Sequence, residues 1–279
     1  MRTTRSLIVT LLVAPLLAQR PQPAPEPAEP EPEIAAAIDR LSAQWPKTGP
    51  DFSEELIETL EGLVAFARDP RHPDDRRALL DIFTKVVLHG PVRPPEAGAA
   101  YRLAFRGLAE FGDAGAERLI AIEERGRLPT KPEYLPLRAA LLVAIGRTRS
   151  ERAAKFLVEA ARSAEEDPLV AAIGHAAAEF ADAEQELRKP LVEVLARRLA
   201  GFENLAARRP SDPERHRDLV AEDARHTLDA LDGGWQRSLM LLTGVELPTG
   251  QAWWNWYQEN KDEDWARRRT SPARKAGSG

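Results

Sequence analysis

The sequence predicts an all-α protein in which helical hairpins follow one another along the chain. No stretch shows the sustained alternation of apolar and polar residues that marks a half-buried strand. Three apolar positions that each close a predicted helix, Phe111, Ile145 and Phe180, lie 34 and 35 residues apart. A period of this length, with one hairpin per unit, is typical of α-solenoids, in which each unit buries its apolar face against its neighbours.

The individual helices support this repeat. After each of the three positions, a polar turn leads into a second, amphipathic helix, predicted at 116–124, 153–162 and 187–199. The helices predicted at 135–145 and 169–178 are apolar almost all round, so we expect them to be sandwiched between neighbours. An earlier hairpin is predicted within 51–89 and a later one within 213–243, which gives about five hairpins.

Helix starts are marked by capping residues. Three pairs have capping-box spacing, and two aspartates precede a proline at a predicted first helical position. The pairs are Asp51 with Glu54, Thr130 with Glu133 and Ser211 with Glu214, and the aspartates are Asp167 and Asp212.

The N-terminus has the pattern of an export signal. Arg2 and Arg5 precede an apolar run of twelve residues, from Leu7 to Ala18, which is shorter than the about 20 residues that span a bilayer. We expect cleavage after Ala18 and a periplasmic or extracellular protein; the alternative is an uncleaved membrane anchor. Removal of residues 1–18 takes away two arginines and no carboxylate, which changes the formal charge from −5 to −7.

The rest of the chain divides into four segments. Residues 19–33 form a Pro/Glu-rich linker, 34–243 the helical repeat domain, 244–265 a Trp-rich capping segment and 266–279 a basic tail. The tail is expected to be solvated and disordered, and an anion-binding arm is the alternative. The acidic balance gives no reason to expect nucleic acid as a partner. The absence of cysteine excludes disulfides, thiol catalysis and cysteine–zinc sites.

Residues 141–180, LLVAIGRTRSERAAKFLVEAARSAEEDPLVAAIGHAAAEF, resemble HEAT and HEAT-like repeats. Pro190, early in a predicted second helix, also fits those repeats. The sequence LTGVELPTGQAWWNWYQENKDEDW at 242–265 looks like the closing segment of exported bacterial HEAT-like proteins. The resemblance covers about residues 51–243 and implies a right-handed α/α superhelix. Tetratricopeptide repeats share the period, but their Trp/Leu-Gly-Tyr order is not found here.

Five of the six tryptophans lie within 235–265. The predicted role of this cluster is to cap the open apolar end of the last repeat. Because Trp253, Trp254 and Trp256 cannot all point the same way on a helix, a ligand platform is the alternative. Trp256 and Tyr257 are then the residues expected to be exposed.

No motif for catalysis or metal binding stands out. HExxH, GxSxG, P-loop and GxGxxG sequences are all absent from the chain. His216, Asp223 and His226 share one predicted helical face, but ion pairing with nearby arginines and glutamates is the better explanation for that face. His175 is expected to pack in its apolar helix. We therefore predict no catalytic residue, no metal and no cofactor.

The predicted function is non-catalytic. A surface formed by the second helices of successive hairpins would bind a protein or peptide, with Arg118, Lys155, Glu159 and Arg162 as exposed contact residues. The alternative is an exported helical enzyme or binding protein that acts on polysaccharide through the C-terminal aromatic cluster. A membrane contact is expected only if the N-terminal segment is not cleaved.

Overall fold

The computed structural model describes residues 30–45, 54–69, 75–89, 92, 98–208, 218–231 and 233–265. The predicted signal peptide, most of the linker and the basic tail lie outside these residues. Within them the secondary structure is entirely helical, which confirms the predicted all-α class. The α-helices, in chain order, are α1 (Pro32–Gln44), α2 (Glu54–Arg68), α3 (Arg76–Leu88), α4 (Gly98–Ala109), α5 (Asp113–Glu124), α6 (Leu135–Arg147), α7 (Glu151–Ser163), α8 (Asp167–Ala178), α9 (Gln185–Ala206), α10 (Leu219–Leu231), α11 (Gly234–Thr243) and α12 (Gly250–Asn260).

The helices from α2 to α9 form two series in which each member packs on the next-but-one helix of the chain. One series runs α2, α4, α6 and α8, and then α11 packs on α8. The other runs α3, α5, α7 and α9, and then α12 packs on α9. The hairpins therefore stack side by side, and the groove between two helices of one series lies at the junction of consecutive hairpins.

The apolar helices lie in the middle of this stack, as expected from their sequence. Helix α6 packs between α4 and α8 and also contacts α5 and α7. The three repeat positions Phe111, Ile145 and Phe180 are all buried. At the closest approach of α6 to α8, a Cβ on Gly146 would stand 2.4 Å from the carbonyl oxygen of Ala176, so only glycine fits there.

Neither of the predicted caps that lie within the described residues forms, although α7 has a cap that was not predicted. Ser150 caps α7 by accepting a hydrogen bond from the Ala153 amide at 3.0 Å. The Thr130–Glu133 box does not form, because a short 3-10 turn, Pro132–Tyr134, precedes α6 and begins after Lys131 without a side-chain cap. Asp167 is the first residue of α8 rather than its N-cap, which is Glu166. Asp51, Ser211 and Asp212 lie outside the described residues.

The chain ends of the domain are held by specific contacts. Helix α1 begins at Pro32, two residues before the predicted start of the repeat domain. At the other end, the Glu203 carboxylate accepts hydrogen bonds from the amides of Gly250 at 2.7 Å and Gln251 at 3.3 Å, which fixes the start of α12 against α9. None of the helices in the described ranges is long and apolar enough to cross a membrane.

Candidate functional site

A groove of about 600 Å³ lies between α7 and α9, at the junction of two consecutive hairpins. We call it the α7/α9 groove. Helix α7 contributes one wall and the first two turns of α9, with the residue before it, contribute the other. Its lining residues are Glu151, Ala154, Lys155, Val158, Glu159, Glu184, Glu186, Leu187 and Pro190.

The floor of the α7/α9 groove is apolar. Ala154 and Val158 belong to the buried stripe of α7, and Leu187 is half-buried on α9. Pro190 lies inside α9 yet is exposed in the groove. Small and medium side chains on both helices leave an open cleft where larger ones would close it. The floor can therefore accept an apolar side chain from a ligand.

The rim of the groove is acidic. Four carboxylates, those of Glu151, Glu159, Glu184 and Glu186, face a single cation, Lys155. The Lys155 ammonium lies 2.6 Å from the Glu151 carboxylate, and its hydrogen bond lowers the pKa of Glu151, so this group stays ionised. The lining side chains thus carry a formal charge of −3 at neutral pH, which the Arg162 guanidinium paired with Glu159 reduces to −2, and the rim favours a ligand with positive charge.

The structure brings only two of the predicted contact residues into the groove. Lys155 and Glu159 line it, whereas Arg162 pairs with Glu159 from the next turn of α7. Arg118 lies on α5, 3.9 Å from Asp81. All four are exposed, as predicted, but they do not form one cluster.

The aromatic segment is largely turned inward. Trp253 is fully buried, and Tyr257 is only 8% exposed, so the expectation that Tyr257 is exposed is wrong. The Tyr257 hydroxyl donates a hydrogen bond to Glu193 Oε2 at 3.1 Å. Burial of the phenol and this hydrogen bond raise the pKa of Tyr257 to about 12. The residue fastens α12 to α9 instead of offering a ring to solvent.

The other rings of the segment also pack on one another. Trp256 is half-buried, with its ring centroid 5.3 Å from that of Trp265, which is buried. Trp254 is half-buried and stacks on Tyr257 with 5.8 Å between ring centroids, and the Arg197 guanidinium lies 4.8 Å from the Trp254 centroid. Little ring surface is left for a glycan, which weakens the platform alternative.

Three histidines, His89, His175 and His226, lie within the described residues. The described residues contain no group of three or more potential ligands. His226 Nδ1 lies 2.5 Å from the Asp167 carboxylate, which also accepts a hydrogen bond from Thr227 at 2.7 Å, so these contacts join α10 to α8. His216 lies outside the described residues. His175, which was expected to pack in its apolar helix, is exposed.

Sequence reasoning missed most of the groove. Glu184, Glu186 and Leu187 precede or begin a helix, where acidic residues are expected simply to compensate the helix dipole. Their position in one groove becomes visible only when α9 is placed beside α7. Pro190 was noted as a repeat feature, and no sequence signal pointed to its exposure in a groove.

No family model matches the chain, and no curated protein matches it. The resemblance to HEAT repeats therefore rests on the residues quoted above.

Proposed function

We propose that the protein is a non-catalytic scaffold that binds basic peptide segments of a partner protein in the α7/α9 groove. The observation that carries the proposal is the combination of an apolar floor with an acidic rim at one hairpin junction. A peptide with alternating cationic and apolar side chains matches both parts.

The arrangement of helices supports an interaction scaffold of the HEAT-like kind. Packing of the helices from α2 to α9 in two next-but-one series supports a stack of helical hairpins. Such folds offer the grooves between successive hairpins to extended ligands. We therefore propose that the hairpins form a HEAT-like solenoid with α12 as its C-terminal cap.

We also propose that the scaffold acts outside the cytoplasm, because of the signal-like residues 1–18. Intact-mass measurement of the protein from its native host tests this. The expected mass is that of a chain that begins at Gln19, and a mass that includes residues 1–18 would contradict cleavage.

The polysaccharide alternative has less support. It requires several exposed rings, whereas Trp253, Tyr257 and Trp265 are buried and Trp254 and Trp256 are half-buried.

Binding is tested by fluorescence anisotropy with the full chain and a labelled ten-residue peptide of alternating Lys and Leu. We expect binding that weakens as salt rises, because the rim contributes through partly screened charges. A peptide with Glu in place of every Lys should not bind. Replacement of two rim carboxylates, Glu184→Gln with Glu186→Gln, should weaken binding by about 2- to 30-fold, since each exposed charge pair contributes about 0.2–1 kcal/mol.

The matched control is Glu124→Gln with Glu133→Gln, which removes the same charge from exposed positions outside the groove. Equal loss in both double variants would show that only net charge matters and would contradict the assignment of the groove. Equal binding of the Lys and Glu peptides would contradict it as well.

A further inference from the structure

The described chain ends beside the α7/α9 groove. The backbone amide of Trp265 donates a hydrogen bond to Gln185 Oε1 at 2.8 Å, and Gln185 lies between the rim residues Glu184 and Glu186 in sequence. Residue 266 therefore follows directly after a residue that is fastened to the first turn of α9.

This exit point is held by further contacts. The Trp265 side chain is 2% exposed, and its ring nitrogen donates to the carbonyl of Asn260 at 2.8 Å. Lys189 donates to the carbonyl oxygen of Glu263 at 2.7 Å, and its ammonium lies 5.4 Å from the Trp265 ring centroid. Four contacts from two helices thus fix where the remaining chain starts.

The sequence that follows is complementary to the groove. Residues 266–279 contain Arg267, Arg268, Arg269, Arg274 and Lys275 and no acidic side chain. Their formal side-chain charge of +5 is opposite in sign to the charge of the rim, where four carboxylates lie with Lys155 and the paired Arg162. An extended chain advances about 3.3 Å per residue. The three arginines, two to four residues past Trp265, are therefore within reach of Glu184 and Glu186.

We propose that the C-terminal segment 266–279 is an intramolecular ligand of the α7/α9 groove, with Arg267–Arg269 on the rim carboxylates. The inference rests on the proposed function, because it assigns a competitor to the same peptide site. A partner must displace this segment to bind, so the tail lowers the apparent affinity for every basic peptide by the same factor.

Tethering makes even a weak contact effective. A segment joined to its site without a long linker has an effective concentration of about 1 mM. If the free segment binds the groove with a Kd of about 0.1 mM, the tethered segment in the intact chain weakens the binding of an added peptide about tenfold.

The test compares full chains that differ only in the tail. The probe is a labelled synthetic peptide with the sequence of residues 266–275, titrated by anisotropy. The variant Arg267→Gln/Arg268→Gln/Arg269→Gln frees the groove and is expected to bind the probe about tenfold more tightly than the unaltered chain. Its control, Arg102→Gln/Arg106→Gln/Arg125→Gln, removes the same charge from exposed sites and should bind the probe as the unaltered chain does.

The other results overturn the inference and separate it from the proposed function. Equal probe affinity in the unaltered chain and the tail variant shows that the tail does not occupy the groove, although a groove that binds peptides is retained. If no chain binds the probe, the inference fails, and the Lys/Leu peptide alone decides the proposed function. If light scattering shows a dimer of the unaltered chain and a monomer of the tail variant, the tail binds the groove of a second copy and the intramolecular contact is refuted.

Discussion

Replacement of Trp253 by alanine tests whether α12 is an integral part of the core. Trp253 is fully buried where α12 packs on α9, and its ring lies 6.3 Å from that of Trp256 in an edge-on arrangement. Its ring nitrogen has no hydrogen-bond partner among the described residues, so the substitution leaves no new polar group unpaired.

The expected loss of stability is large. Burial of a tryptophan side chain removes roughly 150–250 Å² of surface from water, which corresponds to a transfer free energy of roughly 4–6 kcal/mol at about 25 cal/mol per Å². Buried Trp→Ala substitutions typically cost about 3–5 kcal/mol in free energy of unfolding. We therefore expect Trp253→Ala to lose about 3–5 kcal/mol.

Trp254→Ala is the matched control on the same helix. Trp254 is half-buried and contacts Tyr257 and Arg197, and an aromatic pair with a cation–π contact contributes about 1–2 kcal/mol. Both variants are measured by guanidinium denaturation followed by circular dichroism at 222 nm. A loss below about 1 kcal/mol for Trp253→Ala, or equal losses in the two variants, would refute the argument that α12 closes the core.

Three other perturbations test the core, the closing helix and Tyr257. Leu142→Asp buries a carboxylate where Leu142 is 3% exposed, at a cost of several kcal/mol, and should unfold most of the protein; an unchanged thermal melt would contradict the sandwiched position of α6. Gly250→Ala should lower the free energy of unfolding by about 1–3 kcal/mol in the denaturation assay, because its Cβ would stand 2.4 Å from the Ala200 nitrogen. Gly201→Ala has open space around the new Cβ and should raise the free energy of unfolding by about 0.5–1 kcal/mol. The opposite order of stabilities would contradict the close approach of α12 to α9. Because the folded state raises the pKa of Tyr257 to about 12, above the unfolded value of about 10, its contribution to stability is complete below pH 10 and is lost as the pH rises through 12. Absorbance titration at 295 nm should show one tyrosine near pKa 12, absent in Tyr257→Phe and lowered in Glu193→Gln; an unshifted titration would contradict the buried hydrogen bond.

Much of the fold follows from local sequence. Apolar spacing located α5 and α7 to within three residues at each end, whereas α9 continues seven residues past its predicted end at 199. The apolar helices α6 and α8 were expected to be sandwiched between neighbours, and they are. These predictions succeed because helix formation and burial depend on the period of apolar residues, which is a local property.

Two of the errors involve a residue that has a distant partner. Asp167 was predicted to cap α8, but its carboxylate contacts His226 and Thr227 on α10. Tyr257 was expected to face solvent, but Glu193 on α9 binds its hydroxyl. In both cases a contact over about 60 residues outweighs the local preference, and a single sequence carries no signal for such a pairing.

The amino-acid sequence by itself determined that the chain is helical, where its hairpins lie and which of their faces are apolar, because these properties arise from neighbours along one helix. Only the tertiary structure placed the first turns of α9 beside α7 and so brought Glu184, Glu186 and Leu187 to the same groove as Lys155 and Glu159. The packing of α12 against α9 likewise decided which aromatic rings are buried. A groove and a buried ring both depend on the position of one helix relative to another, and that position is fixed by packing over long separations in sequence.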